Sequence, residues 1–184
     1  MTVTPIAVLD ADVLFPMILR DTLLRVAAAG GYRVHWSAKI LDEVVRNLID
    51  QHRMDVAKAA SLAQAMAGAF PDALVEGWEP LEASMSNHPK DRHVAAAAKA
   101  VGATIVVTSN LKDFNPMPDG VVAMSPDTFL RQRLDAAPEL VMAALHKQAA
   151  GYRNPATTAA DLVDWLAKVV PGFSREAKAQ LSRA

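Results

Sequence analysis

A chain of 184 residues with 52% hydrophobic and 21% charged residues is globular and long enough to bury a core of its own. Nineteen basic against 20 acidic residues leave a net charge of −1, which excludes a global field drawing the chain to nucleic acid or membrane. The absence of cysteine excludes disulfides, thiol catalysis and thiolate metal sites, and leaves oxygen and imidazole as ligands.

The start, Met1-Thr2-Val3-Thr4-Pro5, lacks the basic residues and long apolar run of a signal peptide. Apolar stretches elsewhere are broken by charge well short of a membrane span, so a soluble, cytoplasmic protein is expected. Ile6-Ala7-Val8-Leu9 reads as a short buried strand, and two carboxylates, Asp10 and Asp12, appear where it should run out. In open α/β sheets, ligands collect at the carboxyl ends of strands. Two acids placed there raise each other's pKa unless a cation offsets them, and a divalent metal is the natural candidate.

Residues 16–29 follow as a helix with proline in its first turn, an apolar stripe of Leu19, Leu23, Val26 and Ala27, and a stop at Gly30-Gly31. A short strand is expected over 32–36, then a helix from the N-cap Ser37 to about Arg53. Ile40, Leu41, Val44, Val45 and Leu48 form its apolar arc. Asp42 and Glu43 fall on opposite flanks of that arc, because successive helical residues are about 100° apart. Only one of the two can lean toward a shared site. An alanine-rich helix over 55–70, a brief strand at 73–75 and a polar loop from Glu76 to Pro89 come next.

Pro89 opens the following helix, with Lys90 and Asp91 in its first turn and Gly102 as its stop. Thr104 to Thr108 reads as a central parallel strand, ending in the polar cluster Ser109-Asn110-Leu111-Lys112-Asp113-Phe114. Val121 to Met124 is a further strand, and Ser125-Pro126-Asp127 starts a helix. Alternating strands and helices predict a parallel sheet flanked by helices. From Pro138 the character changes to helices over 138–150 and 158–170, a break at Pro171-Gly172 and a last helix from Ser174. The chain is thus expected to divide into an α/β domain, 1–137, and a small C-terminal helical appendage, 138–184.

Each acid has an ordinary reading: a turn or cap for Asp10, Asp12 and Asp113, a solvated helix position for Glu43, a dipole-stabilised first turn for Asp91. In a parallel sheet, Asp10 nevertheless ends one strand and the 108–113 segment ends another. Periodicity leaves open whether the excursion through 76–89 returns Asp91 to the same edge. His88 and His93 flank Asp91 five apart, not the four that aligns two ligands on a helix face, and His35, His52 and His146 stand alone. Structural or surface roles are expected of all five.

Taken in order, VLDADVLFP, WSAKILDEVVRNL, HPKDRHVAAAAKAVGA and IVVTSNLKDF resemble the four acidic blocks of the PIN-domain nucleases, specifically the VapC-like toxins of type II toxin–antitoxin pairs. Met124 to Leu130 is similar to that family's closing strand and helix. The resemblance implies a PIN-like fold and a site of Asp10, Glu43 (selected over Asp42), Asp91 and a fourth position. Many members carry aspartate where Asn110 stands, so the fourth part is either Asp113 or a neutral oxygen from Asn110, and in the second case a second ion binds more weakly. Asp12 joins as a supporting acid, with Thr108 or Ser109 hydrogen-bonding a ligand carboxylate or the scissile phosphate. The resemblance further implies Mg²⁺ or Mn²⁺ as cofactor, RNA as substrate, a cognate antitoxin as partner, and is compatible with a homodimer. Lys39, Arg46, Lys90, Arg92 and Lys112 are candidate RNA contacts. Two other readings stay open: a haloacid-dehalogenase-like phosphohydrolase using Asp10 and Asp12, which lacks that family's late acidic pair, and a catalytically silent PIN-like interaction module.

Overall fold

A computed structural model describes residues 4–183, so the reading of the first three residues lies outside it. The chain forms two compact units. One contains Pro5–Phe15 and Arg33–Met124 and carries a five-stranded sheet; the other contains Pro16–Tyr32 and the chain from Ser125 onward and is helical.

The sheet unit is built on β1 (Ile6–Leu9), β2 (Arg33–Ser37), β3 (Leu74–Val75), β4 (Ile105–Val107) and β5 (Val122–Met124), paired in parallel in the order β3-β2-β1-β4-β5. β1 takes the centre, with Val8 opposite His35 on one side and Val106 on the other. The neighbouring interior strands β1 and β4 are apolar throughout, as burial on two faces requires: Ala7, Val8, Leu9, Val106 and Val107 are fully enclosed. Strand order runs outward from β1 through β2 to β3, then restarts at β4 on the other flank. The carboxyl ends of β1 and β4 therefore frame a topological switch point, where open parallel sheets place their ligands.

Five helices belong to this unit. The four-residue α1 (Ala11–Leu14) follows β1 directly. Met17–Ala28 is α2, which belongs to the helical unit. Ser37 caps α3 (Ala38–Asp50), its Oγ accepting from the Ile40 N–H at 3.2 Å, and Ile40, Val44 and Leu48 supply the buried stripe. The alanine-rich α4 (Val56–Ala69) is capped by Asp55. A single helical turn, α5 (Glu79–Glu82), lies within the segment expected to be an irregular loop; Pro80 in its first turn supplies the start signal that the loop reading passed over. α6 (Arg92–Val101) packs on β1, β2, β3 and β4, and its buried run Ala95–Ala98 lets the helix lie close to the sheet. Pro89–Asp91 is a 3-10 turn leading into α6, not the first α-helical turn.

Gly102 ends α6 at φ +67°, and the space around a Cβ there is open. Gly102→Ala therefore meets no clash and pays only for the left-handed backbone, about 1–2 kcal/mol. The expected result is a thermal midpoint lower by roughly 2–8 °C, read by scanning calorimetry.

The helical unit contains α2, α7 (Pro126–Ala136), α8 (Pro138–Gly151), α9 (Ala159–Leu166) and α10 (Pro171–Leu181). Leu19, Leu23 and Val26 of α2 are buried, as the stripe predicted, and α2 packs on α8. Tyr32 sets its ring edge-on to Phe129 at 4.8 Å and donates its hydroxyl to the Leu23 carbonyl. Gln148, fully buried, accepts from the Thr22 hydroxyl and donates to the Ile18 carbonyl. Thr158 and Asp161 form a reciprocal capping box on α9. Pro171 and Gly172 open α10 instead of separating it from the preceding helix, since proline at the first helical position lacks only an N–H that would be unbonded anyway. Among the described residues no helix is long and apolar enough to cross a membrane.

Candidate metal centre

The first acid is delivered by the central strand. The sheet ladder runs one residue past β1, with the Asp10 N–H donating to the Val107 carbonyl at 3.0 Å, and the chain then turns into α1. Asp10 is the N-cap: its Oδ1 accepts from the Ala11 N–H at 2.7 Å and its Oδ2 from the Thr108 hydroxyl at 2.8 Å. Thr108 follows β4 and is fully buried. Its oxygen also lies 3.3 Å from Asp12 Oδ2, and one hydroxyl proton can serve only one carboxylate at a time. Asp12 is held independently by the Ser109 N–H, at 3.0 Å to Oδ2. The supporting candidates Asp12, Thr108 and Ser109 thus form one hydrogen-bonded corner with Asp10.

Burial pushes the Asp10 carboxyl up to about 7, the neighbouring Asp12 charge adds to the rise, and the bonds from Thr108 and Ala11 work against it. Asp12 is raised as well, again chiefly by burial. Both carboxyls carry a contribution in the same direction from Asp91.

That third acid returns to the sheet edge by a backbone clasp. The His88 N–H donates to the Asp113 carbonyl at 2.9 Å, and the Asp91 N–H to the His88 carbonyl at 2.9 Å. The excursion from β3 is thereby pinned to the 3-10 turn Leu111–Phe114 that follows β4. Asp91 is only 6% exposed, and its Oδ2 has no hydrogen-bond partner. Burial raises its pKa; the Lys90 charge lowers it, Asp113 raises it, and His93 and His88 lower it. Asn110 and Asp113 are not alternatives in space: Asn110 Nδ2 donates to Asp113 Oδ2 at 2.6 Å, so the amide steadies the carboxylate. One ligating atom each from His88, Asp91 and Asp113 lies within 4.8 Å of the others.

Glu43 projects from the flank of α3 while Asp42 is exposed on the other side. Its Oε1 is 3.2 Å from Nε2 of the fully buried His93. Burial works to raise the Glu43 pKa, but the His93 contact and the charges of Arg46 and Lys39 prevail and hold it below the usual carboxylate range. The His93 ring is tilted against Trp78 at 6.1 Å. His93 acts on Glu43 and on Asp91 alike, and links the fourth carboxylate to the cluster.

The basic candidates divide. Lys39 is engaged by Glu82 at 3.3 Å and lies over the Trp78 ring. Arg92 Nε donates to the Asn87 carbonyl at 3.1 Å, which ties it to the clasp. Arg46, Lys90 and Lys112 are exposed. Sequence spacing missed His88 and His93 as neighbours of the acids. The test applied to them assumed both on one α-helical face, whereas His88 precedes a 3-10 turn and His93 begins the helix beyond it.

The donor set fits a hard divalent cation. Carboxylates of raised pKa crowd one strand edge, and a buried Asp91 oxygen is left without a partner, an arrangement that costs free energy until a cation supplies the missing charge.

A family model described as PIN domain matches residues 7–112, more than half of the 184. The chain belongs to the PIN domain family. All the acidic positions assembled above except Asp113 fall inside the matched span, and Asp113 follows it directly. A second model, described as VapC50 C-terminal domain, matches residues 126–179. Over 105 residues, 55% of this chain, the sequence is 39% identical to "Putative ribonuclease VapC50" of Mycobacterium tuberculosis (strain ATCC 25618 / H37Rv). That match covers 62% of the relative's own length, under two thirds of it. No solved structure matches the chain. With the PIN domain identified, the haloacid-dehalogenase-like reading gains no support. Both oxygens of Asp10 are already taken by hydrogen bonds and the side chain is almost wholly buried, a poor posture for a nucleophile.

Proposed function

We propose that this chain is a divalent-metal-dependent endoribonuclease and the toxin of a type II toxin–antitoxin pair. The observation that carries the reading is the buried, unpartnered Oδ2 of Asp91 beside the Asp10–Asp12 corner at the switch point of the sheet. Similarity to a relative whose name specifies a ribonuclease supports RNA as the substrate.

Asp10 and Asp91 would hold Mg²⁺ or Mn²⁺, with Asp113 and Glu43 completing the set. When bound, such an ion lowers the pKa of water and neutralises charge developing on a phosphodiester. The protein's own contribution is orientation. Ala11 and Thr108 fix the Asp10 carboxylate by one bond to each oxygen, and Asn110 fixes Asp113. His93, fully buried beside Trp78, sets its Nε2 3.2 Å from Glu43 Oε1. Glu43, kept ionised by its surroundings, can orient an attacking water by accepting a hydrogen bond from it. Lys90, Lys112 and Arg46 are free to meet the RNA backbone as point charges, while Lys39 and Arg92 serve the local structure first. The RNA, the cognate antitoxin and self-association into a homodimer belong to this proposal, as does action in the cytoplasm. So does a division of the chain into a nuclease domain and a C-terminal helical part.

The purified chain is expected to cut structured RNA, to stop in excess EDTA, and to resume when Mn²⁺ exceeds the chelator. Gel analysis of end-labelled RNA reads this directly. Cleavage that continues undiminished in EDTA would overturn the metal requirement, and binding of the partner without any cleavage would favour a silent interaction module.

A further inference from the structure

We infer that the pocket lined by Met85, Ser86, Lys99, Pro116, Met117 and Asp119 receives an unpaired guanine of the RNA and makes the chain selective for that base. The inference rests on the ribonuclease reading and adds to it a base-recognition site separate from the acids.

Three observations carry it. The pocket encloses about 300 Å³, at the small end of ligand sites, which is room for one flat ring system and not for a helix or a duplex. Its lining sets one cation against one anion: Lys99 from the last turn of α6, and Asp119 from the loop that enters β5. Both are exposed, and neither forms an ion pair among the described residues, so each keeps its hydrogen-bonding capacity for a ligand. The pocket is also continuous in sequence with the acidic site. Ser86 leads toward the His88 end of the clasp, and Pro116 follows the 3-10 turn that carries Asp113. Lys99 stands about 12 Å along α6 from Asp91 at 1.5 Å per residue, a separation that a single strand of RNA spans within a few nucleotides.

The choice of base follows from the two charges. A carboxylate only accepts hydrogen bonds and an ammonium only donates them, so a ligand between them must offer donors on one edge and acceptors on another. Guanine does this: N1–H and the N2 amine lie side by side for a carboxylate, and O6 and N7 accept from a lysine. Adenine, cytosine and uracil place no two donor atoms side by side. Met85, Met117 and Pro116 give apolar walls for the ring faces, and the Ser86 hydroxyl can meet the ribose. A paired base hides the N1 and N2 edge in the duplex, so the base read here is unpaired.

The test uses the full chain and a fluorescein-labelled hexamer of uridine carrying one inner guanine, with binding read by fluorescence anisotropy in EDTA. The parent is expected to bind it at least about fivefold more tightly than the same hexamer with adenine, the lower bound of what one good bidentate contact discriminates. Inosine, which lacks the N2 amine, is expected to fall between the two. Asp119→Asn is expected to erase the order and Lys99→Ala to weaken the guanine hexamer. Both variants should keep the parent's thermal midpoint, because the two side chains are exposed and make no ion pair. Equal binding of the guanine and adenine hexamers by the parent, or a guanine preference that survives Asp119→Asn, would overturn the inference. So would guanosine 5′-monophosphate binding as tightly as the hexamer, which would assign the pocket to a free nucleotide. Cleavage with Mn²⁺ on the same preparations separates the pocket from the nuclease reading. RNA cut by a parent without guanine preference in binding sinks the pocket alone, whereas an Asp119-dependent guanine preference in a chain that never cuts RNA sinks the nuclease reading and leaves the pocket standing.

Discussion

Asp91→Asn is expected to reduce RNA cleavage more than about 100-fold at saturating Mn²⁺, while the fold survives. The substitution keeps side-chain volume and hydrogen-bonding capacity but removes the charge that a buried cation needs. Outer-shell changes at metal sites already cost up to about 100-fold, so loss of a direct ligand should exceed that. Stability should not fall. Asp91 is buried with its Oδ2 unpaired and its pKa raised chiefly by burial, so a neutral amide is the cheaper occupant when no ion is present. Single-turnover cleavage of end-labelled RNA, with circular dichroism as the fold control, checks both halves. A well-folded variant cutting at the parent rate would remove Asp91 from the site.

The second large effect is on stability. In the metal-free chain Asp10 titrates near 7, far above its ordinary 3.8. Between those values the folded protein keeps a proton that the unfolded chain has released, so stability falls as pH rises from about 4 to about 7. Asp12 and Asp91, also raised, act in the same direction. Glu43 acts oppositely: its lowered pKa gives stability above the unfolded value that is lost as pH falls through the folded one. The net expectation is a metal-free protein more stable at pH 5 than at pH 8. Asp10→Asn should erase most of the difference, raising stability at pH 8 by about 2–4 kcal/mol, or roughly 5–15 °C in midpoint. Asparagine can keep the Ala11 bond through its carbonyl and meet the Thr108 oxygen through its amide. Mn²⁺ should reverse the ranking, stabilising the parent by about 2.7 kcal/mol at 100 times its dissociation constant and the variant far less. Thermal melts at the two pH values, in EDTA and in Mn²⁺, read all four states. A parent that melts higher at pH 8 than at pH 5 in EDTA would contradict the account of Asp10.

The two predictions draw on features of unequal legibility. The central strand and its terminal acid could be read from four apolar residues followed by aspartate, because burial on both faces leaves no polar position within a strand. The choice of Glu43 over Asp42 could not: helical periodicity puts both on the edge of the buried arc, and the partner that favours one, His93, is 50 residues away in sequence. The return of Asp91 to the strand edge was equally hidden. It depends on one backbone bond between His88 and Asp113, and backbone groups leave no signature in residue type. Asn110 and Asp113 posed as competitors for one place because a linear pattern assigns one residue to each position, while a 3-10 turn brings residues three apart face to face. Most strands and helices fell close to their expected places. The departures at α5, at the 3-10 turn before α6 and at the start of α10 involve proline, which signals a boundary without saying whether it opens or closes one, whereas the unforeseen α1 and the end of α9 at Leu166, short of the expected 170, do not.

The clasp between His88 and Asp113 also determines where this chain can tolerate change. β3 anchors one end of the 76–87 excursion and the clasp the other, while Trp78 packs on His93 and Glu82 engages Lys39 along the way. Closing a longer loop between fixed ends costs only about 0.6 kcal/mol for each doubling of length. The exposed pair Ala83-Ser84 lies beyond α5 and directly before the buried Met85, and offers a seam for added residues. An inserted peptide tag there is expected to hang outward, which makes this seam a handle for labelling or tethering the folded protein.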